Sequence, residues 1–137
     1  MGFRFEFDPV NKILLALSEG RLSDESLGEL YAAIRKYSTT TDARAGIWDL
    51  SSITEFAVTS DFVRKLAEKE PAMPDARRRP RFIVAPDPLE FGLSRMFQIL
   101  GESTRPLLKV VHTRTRHWLP LAFNPLTLNP QSDRQLS

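Results

Sequence analysis

Three short apolar runs, "AGIWDLS" from Ala45, "RFIVA" from Arg81 and "LLKVV" from Leu107, alternate with stretches of helical period. Runs this short and this rich in β-branched residues read as strands, and a strand apolar on both faces belongs inside a parallel sheet. Upstream, "FRFEF" alternates strictly and places Phe3, Phe5 and Phe7 on one face, while "KILLALSEG" is continuously apolar and closes at Gly20. Asp8, Pro9 and Asn11 supply turn chemistry between them, so the two form an antiparallel hairpin. The order β-β-α-β-α-β-α-β-(α) implies right-handed βαβ crossovers and a mostly parallel sheet packed by helices, with an antiparallel edge.

The helices carry their own start and stop signals. Ser23 precedes Asp24 and Glu25, and Leu27, Leu30, Tyr31, Ile34 and Tyr37 recur at helical spacing, which predicts a helix over 24–37. "SDFVRKLAEKE" turns Phe62, Val63 and Leu66 inward and is stopped by Pro71 and Pro74. Asp87, Pro88 and Glu90 give a third helix its cap, first residue and capping-box partner. Leu89, Leu93, Met96, Phe97 and Leu100 form its inner stripe, and Gly101 suits its end. "RTRHWLPLAF" predicts a short closing helix limited by Pro120. These signals place one α/β domain over 1–123 and a mobile tail over 124–137.

With 137 residues, 42% hydrophobic and 26% charged, the chain has the make-up of one soluble globular domain. It contains no apolar block long enough to span a bilayer, and its first residues lack the apolar core of a secretory signal. The absence of cysteine excludes disulfides, zinc thiolates and thiol catalysis, and a cytoplasmic location is expected. The net charge of +2 hides an asymmetry: residues 1–75 carry −4 and residues 76–137 carry +6.

Catalytic signatures fail in turn. The six glycines form no phosphate loop, and "FGLSRMF" has Met96 where a nucleophile elbow needs glycine. His112 and His117 stand five apart, off one helical face, with no carboxylate near in sequence, so no metal site and no cofactor is expected. Arg77, Arg78, Arg79 and Arg81 form a basic run without interleaved aromatics, which argues against nucleic acid as a partner. What remains is the edge at the carboxyl ends of the parallel strands, the usual ligand side of such a sheet. Asp49, Asp87 and His112-Thr113 end three successive strands there, and Asp49, Ser51, Ser52 and Asp87 form the candidate rim. The nine residues from Leu50 to Val58 read as an unusually long loop, against the ~2–6 residues typical of a strand-to-helix connection.

Within this frame "GIWDLSSITEFAVTSDFVRKL" resembles the STAS, or anti-sigma-factor-antagonist (SpoIIAA-like), family, in which an apolar strand, Asp-Leu-Ser and a turn lead to a serine pair opening the next helix. Gly46 to Ser51 matches the first part, and with one inserted residue Thr59-Ser60 falls at the serine pair. The resemblance implies a SpoIIAA-like α/β fold, a regulatory domain that is not an enzyme, and a phosphoacceptor at Thr59 or Ser60. Val58 and Asp61 replace the family's flanking Asp and Gly, and an acid at 61 repels a phosphate placed beside it. Thr59 and Ser60 are equally good helix caps.

Two readings of function follow. In one, the protein is a non-catalytic STAS-like interaction module whose partner is another protein or a second copy of itself, met through residues 50–61 or a helix face. In the other, it binds a small apolar or anionic ligand, with Phe62, Phe82, Phe91, Phe97 and Trp118 lining a cavity and Arg78 or Arg95 meeting an acidic head group.

Overall fold

The computed structural model describes residues 2–76, 78–112 and 126–128. The chain runs β1 (Gly2–Asp8), β2 (Ile13–Ser23), α1 (Asp24–Thr40), β3 (Ala45–Ala57), α2 (Ser60–Glu68), β4 (Arg81–Val84), α3 (Pro88–Leu100), β5 (Leu108–Val111) and β6 (Leu126–Leu128). These strands make one sheet in the order β5-β4-β3-β2-β1-β6. The opening hairpin is antiparallel, β2 through β5 are parallel neighbours, and β6 adds antiparallel to β1. This is the mostly parallel α/β architecture that the sequence pattern implies. Leu126–Leu128 fall inside the segment expected as a tail, while the expected closing helix lies outside the described residues.

Each parallel step moves one place in the same direction, so right-handed crossovers bring all three helices to one face. There Leu14, Trp48, Leu50 and Ile83 of the sheet pack with Leu30, Ile34, Val63, Leu66 and Phe97 of the helices. Strand alternation sends Ile13, Leu15, Ile47 and Val84 to the opposite face, where they form a second buried cluster. This explains why "ILLA" and "GIW" read as unbroken apolar runs. Of the expected inner stripe of α3, Leu89 and Leu100 lie outside it, being 55% and 51% exposed. Phe97 is buried and Leu93 and Met96 pack against the core as expected, and the fully buried positions Glu90, Ser94 and Phe97 follow i, i+4 and i+7.

Local chemistry fixes the turns. Asp8, buried at the hairpin, accepts from the backbone N–H of Val10 and Asn11 and from Asn11 Nδ2, and Lys12 takes a left-handed conformation (φ 60°). Ser23 caps α1 in a capping box completed by Ser26 rather than by an acid. Arg105, 1% exposed, closes the far end of α2 by donating to the carbonyl oxygens of Leu66, Ala67 and Lys69 at 3.4, 3.0 and 2.8 Å. A cation against the last carbonyls of a helix satisfies acceptors that the helix itself leaves unmet.

Two strands run further than their sequence patterns suggest. β2 does not close at Gly20 but continues to Ser23, and β3 does not end near Ser51 but continues to Ala57. Their mutual register shifts between Leu17 and Glu19 and again between Gly20 and Arg21, and Gly20 adopts φ 80° there. Glycine at a bulge takes a left-handed conformation without a Cβ penalty, so the strand bends instead of stopping. The long loop expected over Leu50–Val58 is therefore strand, joined to α2 by Val58 and Thr59 alone. Gly20→Ala should destabilise the fold by more than about 1 kcal/mol, because alanine is strained at that φ. Gly92→Ala, in mid-α3 with nothing within 4 Å of the added methyl, should stabilise it by about 1 kcal/mol. Urea unfolding of the two variants checks the opposite signs.

Candidate functional site

Past Asp49 the sheet loses β4, and past the pair Glu19 and Ser52 it loses β1 as well, so that two strands remain. β4 ends at Val84, opposite Asp49, while β2 and β3 run on together to the pair Ser23 and Ala57. On this projecting ribbon Ser51, Ser52, Thr54 and Glu55 are exposed, and Arg21 Nε donates to Glu55 across it at 2.8 Å. Leu22 and Phe56 turn the other way and pack on the main core. Among the described residues no strand pairs with the edge of β3 that faces β4's side of the sheet beyond Asp49.

The ribbon delivers the chain to the start of α2. Thr59 is the N-cap there, its Oγ1 accepting from the Phe62 N–H at 3.2 Å. Asp24, the first residue of α1, accepts from both the backbone N–H and the hydroxyl of Thr59, each at 2.8 Å. One carboxylate thus ties the beginnings of two helices together and holds the Thr59 hydroxyl. Ser60, the first residue of α2, is exposed, and its hydroxyl makes no hydrogen bond among the described residues. Asp61 beside it pairs with Arg64 at 3.3 Å.

Nearer the sheet, Asp49 and Asp87 come together around a third carboxylate. Asp49 is buried and accepts from the Ser51 N–H at 2.9 Å. Asp87 is exposed and caps α3, accepting from the N–H groups of Leu89 and Glu90 at 3.0 and 3.3 Å. Glu90 is 2% exposed, and its Oε1 has no hydrogen-bond partner. Burial pushes its carboxyl up to about 7; the Asp87 backbone N–H offsets part of this, and the Asp87 and Asp49 charges add to it. The helical spacing of Glu90 with Phe97 marked it as inward-facing, but its place in the capping pattern gave it a sufficient role on the surface.

The remaining candidates are dispersed. Arg78 is exposed on the connector before β4, and Arg95 is exposed on α3, where it donates to Gln98 Oε1 at 2.9 Å. No described contact joins them. His112 is exposed and stacks on Phe91 at 4.0 Å, while Thr113, His117 and Trp118 lie outside the described residues. Phe62, Phe82 and Phe91 do not line the apolar cavity between sheet and helices; Phe97 does, with Trp48, Phe56 and Tyr31. That cavity measures about 80 Å³, roughly half the ~150 Å³ of an engineered cavity that takes up benzene. Among the described residues no cluster of three or more His, Asp or Glu could hold a metal ion.

Glu90 gives the site a pH signature. Its carboxyl binds a proton more tightly folded than unfolded, so stability falls as pH rises from about 4.5 to about 7 and is flat above. Glu90→Gln should remove that slope and be more stable than the native chain above pH 7. Unfolding free energies across pH 4 to 8 measure both, and an unchanged slope in the variant would contradict the assignment.

No family model and no curated protein matches the chain. Among solved structures it is similar to the anti-sigma factor antagonist SpoIIAA in its unphosphorylated form, with a TM-score of 0.53 and 16% identity over 80% of this chain and 88% of that one. The Bacillus cell fate determinant SpoIIAA in its phosphorylated form covers 80% and 91% at 16% identity, with a TM-score of 0.48. Among the described residues no helix is long and apolar enough to cross a membrane. The architecture built up from the sequence, a hairpin and three right-handed crossovers under one helical layer, is a SpoIIAA-like fold.

Proposed function

We propose that the protein is a non-catalytic, STAS-like regulatory module of the cytoplasm that docks a protein partner through the outer half of β3 and the start of α2. The observation that supports this reading is the projecting ribbon. Its β3 edge beyond Asp49 offers backbone donors and acceptors with no strand beside them among the described residues, and its exposed side chains are polar. An edge of this kind is a template for strand addition, the recognition mode in which main-chain hydrogen bonds supply affinity. SpoIIAA, whose fold it shares, is described as an anti-sigma factor antagonist, which is a protein-binding role. The ligand-binding alternative draws less support, because the apolar cavity is too small for a cargo and Arg78 and Arg95 stand apart.

Of the two candidate phosphoacceptors, Ser60 is the better placed. Thr59 already donates its hydroxyl to Asp24, and a phosphate there would face that carboxylate. A phosphate on Ser60 would meet the positive end of α2, with Asp61 beside it as the opposing charge in the first turn. Mass spectrometry of the protein from its own host should map any phosphate to Ser60; a phosphate on Thr59 would contradict this ordering.

A photo-crosslinking amino acid tests the docking surface directly. Placed at Ser52 or Ser60 in host cells, it should yield one common protein adduct that is absent when it is placed at Lys109 on β5. A second copy of the chain as that adduct would make the partner a homodimer. Adducts from Lys109 alone, or equal adducts from all three positions, would overturn the assignment.

A further inference from the structure

At the opposite end of the sheet from the docking ribbon, buried hydrogen-bond donors gather without acceptors. A Cβ added to Gly46, near the start of β3, would meet Met73 Cε at 3.3 Å, Arg81 Cγ at 3.4 Å and Trp48 Nε1 at 3.7 Å. Arg81 is 0% exposed, yet its Nε, Nη1 and Nη2 all lack a partner, as does Trp48 Nε1. Arg105, close enough to repel Arg81, commits Nη1 and Nη2 to α2 and to Tyr31 but leaves Nε unmet. Among the described residues no carboxylate bonds to either arginine. Burial, and then the Arg105 charge, press the Arg81 guanidinium down to about 10, so it is still a cation at neutral pH.

The Arg81 guanidinium carbon lies 5.9 Å from the Trp48 ring centroid, but a ring face accepts none of its N–H groups, and a buried cation without a hydrogen-bond acceptor is among the most costly groups a fold can hold. The group that relieves it must suit the donors present. Guanidinium and indole N–H donate and never accept. Their complement is therefore an acceptor with several lone pairs and a negative charge. We propose that Arg81 and the indole N–H of Trp48, with Arg105 beside them, form a binding site for a small oxoanion, the carboxylate or phosphate group of a small molecule.

The surroundings give this site both access and a size limit. Met73, which shares the space over Gly46 with Arg81, also lines a surface cleft of about 390 Å³ together with Ala76 and Thr104. A methionine side chain moves at little cost and can act as the gate between cleft and guanidinium. Arg35 stands in the cleft wall, but Glu70 and Asp75 are there too, Glu70 within 3.6 Å of Arg35. Those acids favour one anionic group on a small body over a polyanion. The site is separate from Arg78 and Arg95, both of which are exposed.

Thermal unfolding of the full chain and of Arg81→Met in sodium chloride, sodium phosphate or sodium acetate at matched ionic strength tests the proposal. Phosphate or acetate should raise the midpoint of the native chain by about 3 °C or more relative to chloride. The same anion should leave Arg81→Met unmoved, and in chloride that variant should melt no lower than the native chain, since it removes an unpaired charge. The anion that saturates at the lower concentration tells phosphate from carboxylate recognition. Because such anions stabilise proteins generally, an equal rise in both chains overturns the site, as does no rise in the native chain or a collapse of Arg81→Met in chloride. A second readout needs no variant of the arginine. The Trp48 indole N–H resonance, identified with Trp48→Phe, should shift and saturate as the active anion is added to the native chain, and a resonance that stays fixed overturns the site.

Discussion

Parallel pairing between β2 and β3, from the pair Ile13 and Ala45 out to Ser23 and Ala57, sets both the layering of the molecule and the position of its candidate site. The inner half of β3 lies between β2 and β4 and sends Trp48 to one core and Ile47 to the other. The outer half has only β2 beside it among the described strands. That asymmetry comes from length alone: β4 has four residues and β3 thirteen. Where the shorter strand stops, the longer becomes an edge, and α2 must start from the tip of that edge.

The helical layer is held over the sheet by polar contacts that reach far along the chain. Asp24 ties the start of α1 to the start of α2 through Thr59, and Arg105 ties the end of α2 to the α3–β5 turn and to Tyr31. Both ends of α2 are thus fastened by residues distant in sequence. A nine-residue helix gains little from intrinsic propensity, so such contacts and its inward Val63 and Leu66 decide its place. They also fasten the start of α2, at the tip of the proposed docking edge, since Asp24 holds Thr59 by its backbone N–H and its hydroxyl together.

Much of this was legible from the residues. Apolar runs gave the inner strands, Asp8 and Asn11 the hairpin turn, and Ser23 and Asp87 the helix starts. The extension of β3 was not legible, because "SSITEFA" is polar on its solvent side and bulged, which blurs the period of two. Gly20 looked like a stop when its left-handed φ serves to bend a continuing strand. Within the candidate rim, Asp87 is the helix cap its sequence context indicates, whereas Asp49 lies inside β3 rather than at its end, and Glu90 hid behind its capping role. Arg81 was read with the basic run Arg77 to Arg79, although its spacing of two from the buried Ile83 already placed it on the core face. Arg105 gave little local signal: its carbonyl acceptors lie 36 to 39 residues upstream at the end of α2 and its Tyr31 acceptor 74 upstream, and in sequence it is one arginine before a proline.

The candidate site depends most on β3 remaining paired with β2 after β4 has ended. The chain has no cysteine, so a designed pair reports on this without interference. Glu19 and Ser52 are register partners, both exposed, at the first position past the bulge. Glu19→Cys combined with Ser52→Cys should oxidise to an intramolecular disulfide in a monomer, about 2 Da lighter than the reduced chain, as register partners lie within the span a disulfide bridges. Free thiols after oxidation, or bridges formed only between molecules, would mean that β3 leaves β2 at Asp49 and that the ribbon, with the docking edge built on it, does not exist.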